Sequence, residues 1–170
     1  IGAPLSYKYY QAFGLFGKTG ISLPGEAIGK FYDLNKINQH ELATMSFGEK
    51  FTITPIQMIS AVAAIANDGV LLQPQIVDHI TNTDTGEVTN FNTKEIRQVF
   101  SKETSDKLKS YMYSVVQNGS GRYAQVEGYD IGGKTGTAEK LPRGENKNVV
   151  SFIGYAPQQN PELMIYVVID

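Results

Sequence analysis

The sequence contains no cysteine. That absence excludes thiolate nucleophiles, cysteine-ligated zinc and disulfides. Histidine is scarce: His40 and His79 stand alone, without metal-ligand spacing, and read as surface or packing residues. No metal or organic cofactor is implied. Neither sign of charge dominates, since 15 Lys and Arg stand against 17 Asp and Glu for a formal net charge of −2. Nucleic acid and anionic membrane surfaces both favour a clustered basic excess, so neither is an expected partner. The nearest approach to a basic cluster, Lys102, Lys107 and Lys109, is interleaved with Glu103 and Asp106 and reads as a solvated helix face. No run approaches 18 consecutive apolar residues, so no membrane-spanning helix is expected within the 170 residues. The opening Ile1-Gly2-Ala3-Pro4 lacks the basic and apolar regions of a signal peptide.

What is present divides into three stretches. The first 35 residues are rich in glycine and aromatics, with Tyr7, Tyr9, Tyr10, Phe13 and Phe16 ahead of Gly17 and Gly20. A short helix through Tyr7–Phe13 is predicted, then a turn at Leu23-Pro24-Gly25-Glu26. These aromatics read as core rather than as a ligand platform, and Glu26 as a structural group within a turn. Glu49 and Glu139 read as structural too.

The middle stretch carries two helices. Thr54-Pro55-Ile56-Gln57 is a capping box with proline at the first helical position. Ile56, Ile59, Val62, Ala63 and Ala66 follow at helical spacing, and Asn67-Asp68-Gly69 ends the run. Met58 and Ile65 widen the apolar face, which predicts a helix inside the domain. Weak alternation over residues 75–92 around Thr85-Gly86 predicts a hairpin. Ser101 caps a second helix over residues 102–118 with an apolar stripe of Leu108, Tyr111, Met112, Val115 and Val116. Gly119-Ser120-Gly121 reads as a plain loop.

From residue 130 the pattern changes. Ile131–Lys140, Val149–Ala156 and Leu163–Ile169 predict three strands with short connections, hence an antiparallel sheet. The last strand is apolar on both faces and calls for cover on both sides. The fold class expected is α+β: an antiparallel sheet with packed helices.

Gly132-Gly133-Lys134-Thr135-Gly136-Thr137-Ala138 lies on the first of these strands. Lys134 supplies a cation, and Thr135 and Thr137 alternate with Gly136 so that both hydroxyls share a face. Gly136 lets a ligand approach the backbone. Such a face can bind a carboxylate, with a nearby N–H available to an oxyanion.

This segment resembles the third signature of the penicillin-recognising serine acyl-transferases. Two further runs support the resemblance, in the order the class B penicillin-binding proteins carry them. One is Phe13-Gly14-Leu15-Phe16-Gly17-Lys18-Thr19-Gly20 followed by Leu23-Pro24-Gly25-Glu26. The other is Ser46-Phe47-Gly48-Glu49-Lys50 with Thr54-Pro55-Ile56-Gln57-Met58 and Ala63 to Gly69. The chain is most similar to the division and sporulation transpeptidases of Gram-positive bacteria. One departure is clear. The family's Ser-x-x-Lys and Ser-x-Asn motifs should precede the Lys-Thr-Gly strand, and no serine of this chain is followed by Lys at the third position or Asn at the second. The expectation is therefore that residues 1–170 are the C-terminal part of one transpeptidase domain, incomplete at both ends, with the nucleophilic serine upstream.

The resemblance implies a serine D,D-transpeptidase that cross-links peptidoglycan stem peptides ending in D-Ala-D-Ala and is acylated by β-lactams. Lys134 would line the groove and support proton transfer. Thr135 and Thr137 would bind the substrate carboxylate, Gly136 would allow close approach, and the N–H of Thr137 would form half of an oxyanion hole. The resemblance also implies the extracytoplasmic face of the bacterial membrane, an anchor outside this chain, and division or elongation machinery as partners. The chain alone is expected to be inactive.

Two readings compete. A penicillin-binding-like fold could serve interaction only. Separately, Gly128-Tyr129-Asp130-Ile131-Gly132-Gly133-Lys134-Thr135 matches the phosphate-loop pattern of nucleotide-binding proteins. That loop needs a buried strand before it and a helix after it. Gln125-Val126-Glu127 makes a poor core strand, and Gly136 with Pro142 makes a poor helix. Lys18-Thr19-Gly20, the other copy of the triplet, is given no catalytic role.

Overall fold

The computed structural model describes residues 1–140, 144–145 and 147–170. Pro142, weighed above against a helix after the motif, lies outside them.

Helix α1 spans Ala3–Ala12, four residues earlier than the sequence pattern placed it. Pro4 fits its first turn, where a missing N–H costs nothing. Tyr7 and Tyr10 turn inward from α1 and join Phe16, Phe31 and Phe51. Phe16 and Phe31 meet edge to face at 4.6 Å, and Phe31 stacks on Phe51 at 4.7 Å. The aromatics are thus packing residues, as read. Tyr9 is an exception, exposed on the helix, and Phe16 is part-exposed while keeping its ring contacts.

A short helix α2, Gln39–Met45, was not anticipated, although its signal was present. Asn38 and Glu41 form a reciprocal capping box, each side chain accepting the other's backbone N–H. Helix α3 spans Pro55–Ala66 and begins at the expected Thr54–Gln57 box. Only its first residue is exposed, so it runs inside the molecule as its wide apolar face required. It stops at Asn67, and Gly69 follows at φ +86°.

Strand β1, Val70–Leu72, pairs antiparallel with β4, Glu95–Gln98, and neither strand was expected. Between them the predicted hairpin forms from β2, His79–Thr81, and β3, Val88–Asn90, with Gly86 in its turn at φ +73°. All six of its strand residues are exposed.

Helix α4, Lys102–Asn118, lies between α3 and the main sheet, with Ser101 accepting from the Thr104 N–H as the cap. Val116 of the predicted stripe is fully buried and Leu108, Met112 and Val115 are half-buried, while Ser105 and Lys109, which the stripe did not include, are buried beside them. Tyr111 of that stripe is 57% exposed. Lys109, assigned above to a solvated face, is only 4% exposed. The reason lies in α3's C-terminal turn. Ser105 Oγ donates to the Ile65 carbonyl at 2.5 Å, and Lys109 Nζ reaches Asp68 at 3.2 Å and Asp106 at 2.9 Å. A buried ammonium persists only when paired in this way. Hydrogen bonds from Lys102 and then Lys109 hold the Asp68 carboxyl below its ordinary range.

Strands β5, Gly132–Glu139, β6, Asn148–Ala156, and β7, Leu163–Ile169, form an antiparallel sheet in that order. The architecture is the expected α+β. Tyr155 of β6 is 2% exposed and donates to the Lys109 carbonyl of α4, tying the helix to the sheet. Burial pushes its phenol up to about 12. On β7, Leu163, Ile165, Val167 and Ile169 remain about half-exposed or more, so the two-sided cover its composition called for is not met within the described residues.

Candidate functional site

Strand β5 is unusually rich in glycine for a strand, where glycine has no side chain to pack and carries an entropic cost. Its neighbours explain three of these positions. A Cβ on Gly132 would lie 2.6 Å from the Tyr155 ring, one on Gly133 would lie 2.4 Å from Phe152, and one on Gly136 would lie 2.6 Å from Ser151 Oγ. The register sets Gly132 opposite Tyr155 and Gly136 opposite Ser151. The glycines therefore admit the side chains of β6.

Among the described residues β5 is an edge strand, paired only with β6. An edge leaves alternate backbone N–H and C=O groups outside the sheet ladder. Along it Lys134 is exposed, Thr135 and Gly136 are half-buried and Thr137 is exposed. Lys134 Nζ donates to the Thr135 carbonyl at 2.8 Å and lies 3.5 Å from its Oγ1. Thr135 Oγ1 in turn lies 2.9 Å from Ser120 Oγ. The four residues singled out in the sequence are thus contiguous on one open strand edge, and Ser120 joins them from the loop after α4. Nothing in the sequence marked Ser120 beyond its place between two glycines. The start of β5 is held by Tyr113 of α4, whose hydroxyl donates to Asp130 at 3.1 Å. At its far end, Glu139 accepts the Gly144 N–H at 2.7 Å, a structural role as expected.

The phosphate-loop reading fails on this geometry. Gly132 to Thr135 are paired strand residues rather than a loop, and β5 continues to Glu139 where that reading needs a helix N-terminus. Val126 and Tyr129 form only an isolated bridge before it, and Val126 is 54% exposed.

Lys18-Thr19-Gly20 is committed elsewhere. Glu26 accepts from the Thr19 N–H and hydroxyl, both at 2.6 Å, and from the Gly20 N–H at 3.1 Å. The structural reading of Glu26 holds. Gln57, capping residue of α3, also clamps this region: its Nε2 donates to the carbonyls of Leu15 at 3.0 Å and Gly17 at 2.7 Å. His40 is exposed, and His79, also exposed, pairs with Asp78 at 3.0 Å. Among the described residues no group of three His, Cys, Asp or Glu is arranged to hold a metal ion, and no helix is long and apolar enough to cross a membrane.

Known proteins resemble this chain in both sequence and fold. The chain is 42% identical to stage V sporulation protein D of Bacillus subtilis, over 100% of this chain and 27% of that protein. It is 33% identical to the probable peptidoglycan D,D-transpeptidase PenA of Neisseria gonorrhoeae, over 99% of this chain and 28% of that protein. The chain thus spans little more than a quarter of the length of these relatives. Among solved structures it superposes on penicillin binding protein 3 of Mycobacterium tuberculosis with a TM-score of 0.92 at 31% identity, covering 100% of this chain and 41% of that one. The same protein complexed with ampicillin gives a TM-score of 0.92 as well. The sporulation relative agrees with the subfamily resemblance drawn from the motifs. The family described as the penicillin binding protein transpeptidase domain matches residues 1–170, and the chain belongs to it.

Proposed function

We propose that this chain is the Lys-Thr-Gly part of a peptidoglycan D,D-transpeptidase whose nucleophilic serine lies upstream in the same protein. The observation that carries the reading is the edge strand itself, where a cation, two hydroxyls and an open backbone stand in one row beside Ser120. The relatives named as D,D-transpeptidases and the solved relative complexed with ampicillin support it.

In this reading the stem peptide's terminal carboxylate sits against Thr135 and Thr137, with Lys134 lending positive charge. These are charge-assisted hydrogen bonds, the stronger kind. The serine oxygen attacks the penultimate D-alanine carbonyl, and the developing oxyanion takes the Thr137 N–H as one of its donors. Collapse expels the terminal D-alanine as an amine, with Lys134 supporting the proton's transfer. An amine from a neighbouring strand then takes the acyl group. A β-lactam enters by the same route, and its opened ring keeps the leaving group attached. The protein works at the outer face of the cytoplasmic membrane through an anchor outside this chain, with division or elongation machinery as its partners.

Intact-mass spectrometry after exposure to benzylpenicillin tests the reading. The full-length protein gains one penicilloyl group on a serine upstream of Ile1, and residues 1–170 alone gain none. An adduct on the isolated chain would refute the placement of the nucleophile. No adduct on the full-length protein would refute the transpeptidase reading and leave an interaction module in its place.

A further inference from the structure

Ser120 is held too deliberately for a plain loop. Gly119 and Gly121 on either side of it both donate their N–H to the Val115 carbonyl, at 3.1 and 3.0 Å. The chain therefore folds back tightly on the end of α4. A Cβ on Gly119 would fall 2.9 Å from that carbonyl oxygen, and one on Gly121 would fall 3.2 Å from it and 3.3 Å from the Val115 and Val116 side chains. Only glycine fits on both sides without displacing its neighbours. Gln125 closes the same turn, its Nε2 donating to the Val116 and Gln117 carbonyls at 2.9 and 3.1 Å. These contacts leave one side chain of the turn directed at β5, and it ends 2.9 Å from Thr135 Oγ1.

From this we infer that Ser120 is a positioning residue for Thr135, setting the direction in which the threonine hydroxyl donates. The inference rests on the reading of the strand given above. A hydroxyl has one proton and two acceptor lone pairs. When Ser120 donates to Thr135 Oγ1, one lone pair of the threonine is taken and its own proton is free to point into the groove, at an anionic ligand. Lys134 Nζ, 3.5 Å from the same oxygen, disfavours a threonine proton turned toward itself, which leaves Ser120 or the groove as its directions, and an anionic ligand in the groove selects the second. Without Ser120, the Thr135 hydroxyl regains its rotation and must be ordered again each time a carboxylate binds. The group recognised through Ser120 is therefore the ligand's carboxylate, not its reacting carbonyl.

The test compares acylation of the full-length protein by benzylpenicillin and by its uncharged methyl ester, as second-order rates from intact mass. Ser120→Ala is expected to slow the free acid roughly tenfold, about the worth of one hydrogen bond, and to leave the ester within about twofold. Ser120→Thr, which keeps the hydroxyl, restores the rate. Adding Ser120→Ala to Thr135→Ala costs nothing more, because the first acts only through the second. Equal slowing of acid and ester, or full additivity with Thr135→Ala, would overturn the inference and reduce Ser120 to a loop anchor. A wild-type protein that neither compound acylates would instead sink the transpeptidase reading, and the inference with it.

Discussion

Lys-Thr-Gly occurs twice in this chain, and the two copies do opposite things. At Lys18-Thr19-Gly20 the threonine hydroxyl and two backbone N–H groups are consumed by Glu26, and Gly20 turns the chain at φ +79°. At Lys134-Thr135-Gly136 the same letters lie extended on a sheet edge, and Gly136 is needed for the Ser151 hydroxyl opposite rather than for a turn. The triplet has no intrinsic function. A carboxylate of the protein itself occupies the first copy's donors, whereas the second copy has its lysine exposed and its threonine half-buried on an open edge, with Thr137 exposed just beyond it. In both places the donors suit a carboxylate, and the difference is whether that carboxylate is built in.

The largest separation between the copies should appear on removing the cation. In the full-length protein Lys134→Ala is expected to lower the benzylpenicillin acylation rate by roughly a hundredfold to ten-thousandfold, the range of a lost proton-transfer partner. Lys18→Ala should change it less than about twofold. Comparable losses in both variants would show that the first copy also serves the site.

The glycines sharpen the contrast. Gly20→Ala forces a side chain into the left-handed region and toward Gln73, 3.2 Å from the new Cβ, and should cost about 1–2 kcal/mol of stability. Acylation per folded molecule should not move. Gly136→Ala instead meets Ser151 Oγ at 2.6 Å. Its stability loss should be recovered by adding Ser151→Gly, while the acylation rate stays about tenfold down because the ligand also needs the backbone bare. Recovery of both together would mean that Gly136 serves packing alone. Thermal unfolding and acylation rates on the three variants separate these outcomes.

The legible parts of the fold were those with local signals. Helices α3 and α4 carry their caps in the sequence, and the three strands of the sheet follow one another with short connections. Pairings between distant segments were invisible. β1 meets β4 across the exposed hairpin, and neither strand has the length or alternation to announce itself. Lys109 reads as a surface lysine by its charge, and its burial is made tolerable by Asp106 on the same helix together with Asp68, 41 residues away. The site divides in the same way. Lys134 to Thr137 were legible because they are contiguous. Ser120 was not, because its significance is a hydroxyl contact across 15 residues made by a turn that only the folded helix end defines.

The smallest expected effect concerns the built-in carboxylate. Burial pulls the Glu26 carboxyl upward, but the Thr19 hydroxyl, the Thr19 and Gly20 N–H groups and nearby Lys18 outweigh it and hold it below its ordinary value. A carboxyl lowered on folding binds its proton more tightly in the unfolded chain. Its stabilisation is therefore present above the unfolded value, about 4.3, and fades as pH falls through the lower folded value. Asp68 and Asp106 are lowered as well, so the whole protein should lose stability in that acid window. Glu26→Gln isolates the first copy's share. The amide keeps an oxygen acceptor but has no charge to lose, so its unfolding midpoint should start slightly below wild type at pH 7 and decline less steeply below about pH 4.5. Identical pH slopes in the two proteins would mean that Glu26 is satisfied equally well in the unfolded chain, and that the first Lys-Thr-Gly is held by the Gln57 clamp rather than by its internal carboxylate.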